Sequence, residues 1–184
     1  MSHQYHHERR YQTVILLEDT RNPVAKHQNI HDYCDRVGVQ IERTKLYVGD
    51  YTLPTNQSVC VDTKAGMQEV YGNLVIDYAR FKREALRSGA AKIKLVVLVE
   101  EPHITSLADV TMWQNPRAVR WKKVHDAHLQ GKMKEIKIAD RPPESSVKLA
   151  KKMAQISRQF GIVWEFCAPS ETGERIIDML GGRP

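Results

Sequence analysis

Cysteine is scarce in this chain: three among 184 residues, Cys34, Cys60 and Cys167. They lie far apart in apolar runs with no Cys-x-x-Cys pair, so neither a zinc ribbon nor a disulfide framework is indicated, and they read as reduced core residues of a cytosolic protein. The eight histidines form no HExxH motif. His125 and His128 are three apart, but two ligands alone make a weak zinc site. No apolar run approaches the length of a membrane span. The opening MSHQYHHERR lacks the apolar segment of a secretory signal, and residues 1–12 with His3, His6 and His7 read as a flexible tail. A phosphate-cradling glycine loop, a Ser/His/Asp arrangement and a dinucleotide fingerprint are missing as well, which removes the commonest α/β enzyme classes.

What the chain does have is ordinary globular composition, 41% hydrophobic and 27% charged, with a formal net charge of +6. The length suits one domain, residues 13–184, and the charge favours an acidic partner, of which nucleic acid is the commonest.

Strand and helix signals alternate. Residues 13–17 (TVILL) form a short apolar run typical of a buried strand, ending on Glu18-Asp19. Residues 24–37 carry Ile30, Cys34 and Val37 at helical spacing, with Gly38 to close the helix. Residues 39–48 predict a strand, and residues 58–62 (SVCVD) another that pairs with it as a hairpin across the Pro54 and Asn56 turn. A long amphipathic helix is predicted over 68–86, since Val70, Leu74, Tyr78, Phe81 and Ala85 trace one face. Residues 93–99 (IKLVVLV) are the strongest strand signal and predict a central strand. Residues 102–116 read as a loop-like insertion, and 117–130 as a helix. After Pro142-Pro143, Ser145 or Ser146 caps a helix to Phe160, followed by a strand at 162–166 and a short last helix to Leu180. The expected fold is α/β, with a mixed sheet flanked by helices on both faces.

The chemistry lies in where acids fall on this pattern. Asp19 follows the first strand, Asp50 the second, and Asp62 ends the third with Lys64 two residues on. Side chains two apart in a strand share a face, so Asp62 and Lys64 project together, and the hairpin brings Asp50 towards both. Carboxylates meeting at strand ends repel one another unless a cation lies between them, and oxygen donors select magnesium or manganese. A lysine beside them, its proton affinity lowered, can orient or activate water. Each acid taken alone has a plainer reading as a turn former or helix cap.

Three segments in order, VILLEDTRN (14–22), VGDYTL (48–53) and VCVDTK (59–64), resemble the XPF-type nuclease pattern of the PD-(D/E)XK, restriction-endonuclease-like superfamily. In that pattern one strand ends in D-x-R-E, the next in G-D-Y, and a third in E-R-K. The segment KLVVLVEE resembles the family's hydrophobic strand, and residues 145–180 its closing helix–strand–helix. The resemblance implies a restriction-endonuclease-like core and a metal-dependent endodeoxyribonuclease. Asp19, Asp50 and Asp62 would then bind Mg2+ or Mn2+ with the carbonyl of Thr63, Lys64 would position the nucleophilic water, and Arg21 would face a phosphate. It also implies DNA, branched DNA in particular, as partner, and a homodimer in which Ile176, Ile177, Met179 and Leu180 either join the interface or pack on the core. The chain resembles stand-alone phage and bacterial domains, which implies a cytoplasmic location, or a nuclear one if eukaryotic. Asp62 stands where the family has glutamate, Thr63 where it has arginine, Asn22 where it has the second acid of D-x-R-E, and Gln68, next to Glu69, where it has aspartate.

Residues 117–158 hold twelve Lys or Arg against four Asp or Glu, enough to neutralise several phosphates. Arg117, Arg120, Lys122 and Lys123 are the first DNA-binding candidates, joined by Lys132, Lys134 and Lys137 and by Trp113 and Trp121 as base-stacking surfaces. Lys148, Lys151 and Lys152 read as the solvated face of a helix. Lys82 and Arg83 make a second patch. The alternative to a nuclease is a degenerate domain that binds DNA as a partner subunit without cutting it.

Overall fold

The computed structural model describes residues 14–131, 139 and 141–182. The proposed tail and Lys132, Lys134 and Lys137 lie outside the described residues.

Six strands form one mixed sheet in the order β2-β1-β3-β4-β5-β6. These are β1 (Ile15–Asp19), β2 (Gln40–Thr44), β3 (Tyr51–Leu53), β4 (Asn56–Lys64), β5 (Lys94–Glu100) and β6 (Val163–Cys167). Only β3 runs against its neighbours; β1 and β2 pair in parallel, as do β4, β5 and β6. The helices are α1 (Gln28–Val37), α2 (Met67–Tyr71), α3 (Tyr78–Ala90), α4 (Pro116–Leu129), α5 (Ser146–Phe160) and α6 (Thr172–Leu180). The period-two alternation of β5 divides the core. Leu95, Val97 and Val99 join Phe81, Leu149 and Met153 of α3 and α5 on one face, while Val96 and Leu98 join Ile30, Cys34, Ile176 and Ile177 of α1 and α6 on the other. The expected α/β fold with helices on both faces is therefore observed.

Three local expectations change. The strand predicted over 39–48 stops at Thr44. The backbone at Leu46 instead turns to serve the neighbouring strand end: its N–H donates to Asp19 Oδ2 at 3.2 Å and its carbonyl accepts from Arg21 at 3.1 Å. The hairpin consequently joins β3 to β4, and β2 lies at the sheet edge beside β1. The long helix over 68–86 is broken into α2, a wide turn at Gly72–Ile76, and α3, with Asp77 at φ −120° and ψ 49°. Glycine, asparagine and the β-branched Val75 and Ile76 favour the helix poorly, and Asn73 Nδ2 donates to the Glu69 carbonyl at 2.9 Å, competing with the helical ladder. The apolar stripe survives the break, because Val70, Leu74, Phe81 and Ala85 all enter one core. Strand β5 is buried from Leu95 to Val99, but it lies next to edge strand β6; β3 and β4 occupy the middle. Of the two readings of the last helix, packing on the core is the one observed for these residues: Ile176, Ile177 and Leu180 are buried and Met179 packs against them.

Two close approaches hold the sheet and its helices in register. Gly49 has φ +70°, and a Cβ there would lie 3.1 Å from Cys60 Cβ and from the Val61 carbonyl oxygen. Only glycine fits both the conformation and the space. A Cβ on Gly173 would lie 2.6 Å from Tyr33 Cβ, so α6 crosses α1 almost backbone to side chain.

Candidate functional site

The middle of the sheet gathers the acids. Asp50 opens β3, and its backbone links two neighbouring strands: its N–H donates to the Val61 carbonyl at 2.8 Å, and its own carbonyl accepts from Asp19 N–H at 2.9 Å. Asp50 Oδ2 also accepts from the Thr63 N–H at 2.8 Å and from Thr63 Oγ1 at 2.7 Å. Asp62 and Lys64 share the face of β4 that carries Cys60, beyond the point where the helices close over it. Lys64 Nζ donates to Asp62 Oδ1 at 2.7 Å and lies 2.6 Å from Oδ2, without hydrogen-bond alignment to the latter. Asp62 Oδ2 is thus a buried carboxylate oxygen in ion-pair contact with Lys64 but without an aligned hydrogen bond. The Thr63 carbonyl accepts from Lys64 Nζ at 3.3 Å.

These side chains line one cleft of about 400 Å³. Its walls include Asp19, Arg21, Asp50, Asp62, Thr63 and Lys64 from the strands, Glu69 from α2, and Arg80, Arg83, Glu84 and Arg87 from α3. Sequence reading missed Arg80, Glu84 and Arg87. Their signal was present as a polar stripe at i, i+3, i+4 and i+7 (80, 83, 84, 87), flanking the apolar stripe of Tyr78, Phe81 and Ala85. Glu84 Oε1 accepts the Gly49 N–H at 3.1 Å and so ties α3 to the turn that carries Asp50. Glu69, the candidate replacement for the missing aspartate, reaches the cleft, but its carboxylate pairs with Lys26 at 3.3 Å and accepts the Ala65 N–H at 3.0 Å.

Electrostatics separate the acids. Burial pushes the Asp62 carboxyl up, with the Asp50 and Glu84 charges adding to it, against the opposing pull of Lys64. Burial would by itself lower Lys64, but the Asp62 and Asp50 carboxylates outweigh it and hold the ammonium above its ordinary value. This corrects the expected loss of proton affinity: Lys64 is a firmly charged donor. Burial would raise Asp19, yet Arg21 overrides it and brings Asp19 below the usual carboxylate range. Arg21 holds both Asp19 oxygens through its guanidinium and one through its backbone N–H. Arg21 therefore faces a carboxylate within its own chain.

The donor chemistry fits a hard divalent cation, because Asp62 Oδ2 lacks an aligned hydrogen bond and the side-chain and carbonyl oxygens of Asp50, Asp62 and Thr63 lie on adjacent strands. Among the described residues, however, no three His, Cys, Asp or Glu side chains converge closely enough to hold an ion. Arg21 holds Asp19, and the Lys64 ammonium lies across Asp62.

Of the remaining candidates among the described residues, Arg83 alone lines the cleft. Lys82 is exposed on α3 and does not line it, whereas its neighbour Arg83 does. Arg117, Arg120, Lys122 and Lys123 are exposed on α4, a helix with no buried residue. Arg117 lies 5.8 Å over the Tyr71 ring of α2, next to the strand end that bears Lys64. Trp113 packs against the core and lies 6.3 Å from the Tyr71 ring. Trp121 stacks on His125 at 4.6 Å and donates Nε1–H to the Ala139 carbonyl at 2.9 Å. Neither ring is free to stack as it stands.

No family model matches the chain, and no curated protein does. Solved structures do. The chain is similar to XPF from Aeropyrum pernix in a complex with DNA, at TM-score 0.56 and 18% identity, over 91% of this chain and 64% of that one. A second structure of XPF from Aeropyrum pernix gives TM-score 0.56 and 19% identity, over 90% and 63%. The chain thus spans less than two thirds of either relative and has the XPF-like, restriction-endonuclease-like fold.

Proposed function

With an XPF-like fold as premise, we propose that this protein is a metal-dependent DNA endonuclease, selective for branched structures such as flaps, forks or junctions. The observation that carries the proposal is the cleft in which Asp50, Asp62 and Lys64 meet, with one Asp62 oxygen buried and held only by its ion pair with Lys64. Asp50, Asp62 and the Thr63 carbonyl would hold Mg2+ or Mn2+, with Asp19 joining once Arg21 releases it. Such an ion supplies charge neutralisation at the phosphate and acidifies a bound water.

The chain's own groups do the rest. The Lys64 ammonium donates to the attacking water or to a phosphate oxygen and holds it in line. Thr63 keeps Asp50 in place through two hydrogen bonds. Glu84 keeps the Gly49 turn against α3. Arg21, if it released Asp19, would be available to a phosphate. Arg117, Arg120, Lys122 and Lys123 would extend the duplex contact from the cleft across α2 to α4.

The Arg21 clamp supports a second reading, a domain that binds branched DNA as a partner subunit without cutting it. Labelled single strand, duplex, flap, fork and four-way junction, incubated with magnesium, manganese or EDTA, separate the two. Metal-dependent cutting that Asp50→Ala and Lys64→Ala abolish upholds the nuclease. Binding without cutting under either metal upholds the second reading.

A further inference from the structure

The cations of the cleft differ in what they are bound to. Arg21 is held by Asp19, Lys26 by Glu69, Lys64 by Asp62, and Arg80 by Asp77 and Asn73. Arg83 and Arg87 have no ion pair and no side-chain hydrogen bond among the described residues, although both line the cleft and a carboxylate, Glu84, stands between them in sequence. Glu84 is turned to the Gly49 N–H instead. Arg87 Nε is buried without any hydrogen-bond partner, an arrangement that costs free energy unless an acceptor from outside completes it. Asn22 Nδ2, of another residue that lines the cleft, is a second buried donor without a partner.

We propose that Arg83 and Arg87 form a seat for a phosphate oxyanion of the DNA backbone, beside the acidic strand ends and separate from the basic surface of α4. This rests on the DNA-binding part of the function proposed above, and it assigns Arg87 a role that the sequence pattern did not. Residues four apart on a helix stand side by side, so two guanidiniums can share one phosphate or grip two successive ones. Their fork geometry matches phosphate oxygens, and the nearby carboxylates bias the site against an anion that lies deeper, towards Asp62. The seat would therefore hold the backbone at the mouth of the cleft and leave the next phosphodiester over Asp50 and Asp62.

The experiment measures fluorescence anisotropy of a labelled fork DNA across a salt series, in EDTA, with the full chain. Arg83→Gln, Arg87→Gln and the double variant are compared with Lys94→Gln, which removes the same charge at the far end of the parallel strands. The double variant is expected to weaken binding roughly tenfold or more, since hydrogen bonds to charged groups carry that much. It should also flatten the slope of log K against log salt by about 0.9 for each phosphate that the protein no longer neutralises. Lys94→Gln should leave both unchanged. Thermal melts check folding, and the exposed Arg83→Gln variant keeps the test readable if Arg87→Gln is unstable. Parental affinity and slope in the double variant overturn the seat, as does an equal weakening in Lys94→Gln, or no binding of DNA by the parent. A parent that binds without cutting leaves the seat standing while the nuclease reading falls, so the two fail separately.

Discussion

Glu18 and Asp19 are consecutive, both buried, and opposite in character. Glu18 looks to the α1 face, where Tyr51 Oη donates to it at 2.8 Å, His31 Nε2 lies 3.2 Å from both its oxygens, and Arg43 Nε pairs with it at 3.0 Å. Every oxygen there is satisfied and the network is closed. Asp19 looks to the other face, where the cleft holds Asp62 Oδ2, Arg87 Nε and Asn22 Nδ2, all buried and all without hydrogen-bond partners. A buried carboxylate is thus no sign of a site. What marks the cleft is that three such unpartnered atoms line one cavity, whereas His27 Nε2 and Arg175 Nε are unpartnered outside it.

Substitutions on the two faces should part company. Asp62→Asn is expected to lower metal-dependent cleavage by about a thousandfold, roughly 4 kcal/mol in the barrier, measured as single-turnover rates on the preferred branched DNA. Glu18→Gln should do the reverse. It leaves the partly exposed Arg43 guanidinium short of its partner charge, costs about 2–3 kcal/mol in urea unfolding, and keeps cleavage near parental in conditions where the protein is folded. A fall in cleavage for Glu18→Gln as large as for Asp62→Asn would erase the distinction between the faces. Gly173→Ala tests the same face by packing alone. The added Cβ meets Tyr33 at 2.6 Å, so a destabilisation of about 1–3 kcal/mol in the same unfolding assay is expected, again with cleavage retained.

The smallest effect concerns pH. His27 is buried with Nε2 unpartnered, its ring 5.6 Å from that of Tyr51, and burial lowers its pKa. The folded chain then binds fewer protons than the unfolded chain between the lowered value and the ordinary value of about 6.5. Stability should be unaffected by this group above that ordinary value and should fall as pH drops through it towards the folded value. His27→Phe should flatten that segment of a urea-midpoint profile, and an unchanged profile would show that His27 does not titrate on unfolding.

Much of this was written in local order. Period-two spacing put Asp62 and Lys64 on one face, because strand geometry demands it of any residues two apart. The alternating apolar runs announced an α/β sheet, and the order of the three acidic strand ends pointed to the XPF-like fold. The partners of those charges were decided in three dimensions. Arg21 turned back onto Asp19, Leu46 left the strand to join them, and Gly72 and Asn73 broke a helix whose apolar stripe ran on without interruption. Arg87 reached the cleft while Lys82, also a cation and five residues earlier, stayed in solvent. Periodicity records which residues share a face of one element. The pairing of a charge depends on which other element lies against that face and how deeply both are buried, and that is settled only when the sheet and its helices pack.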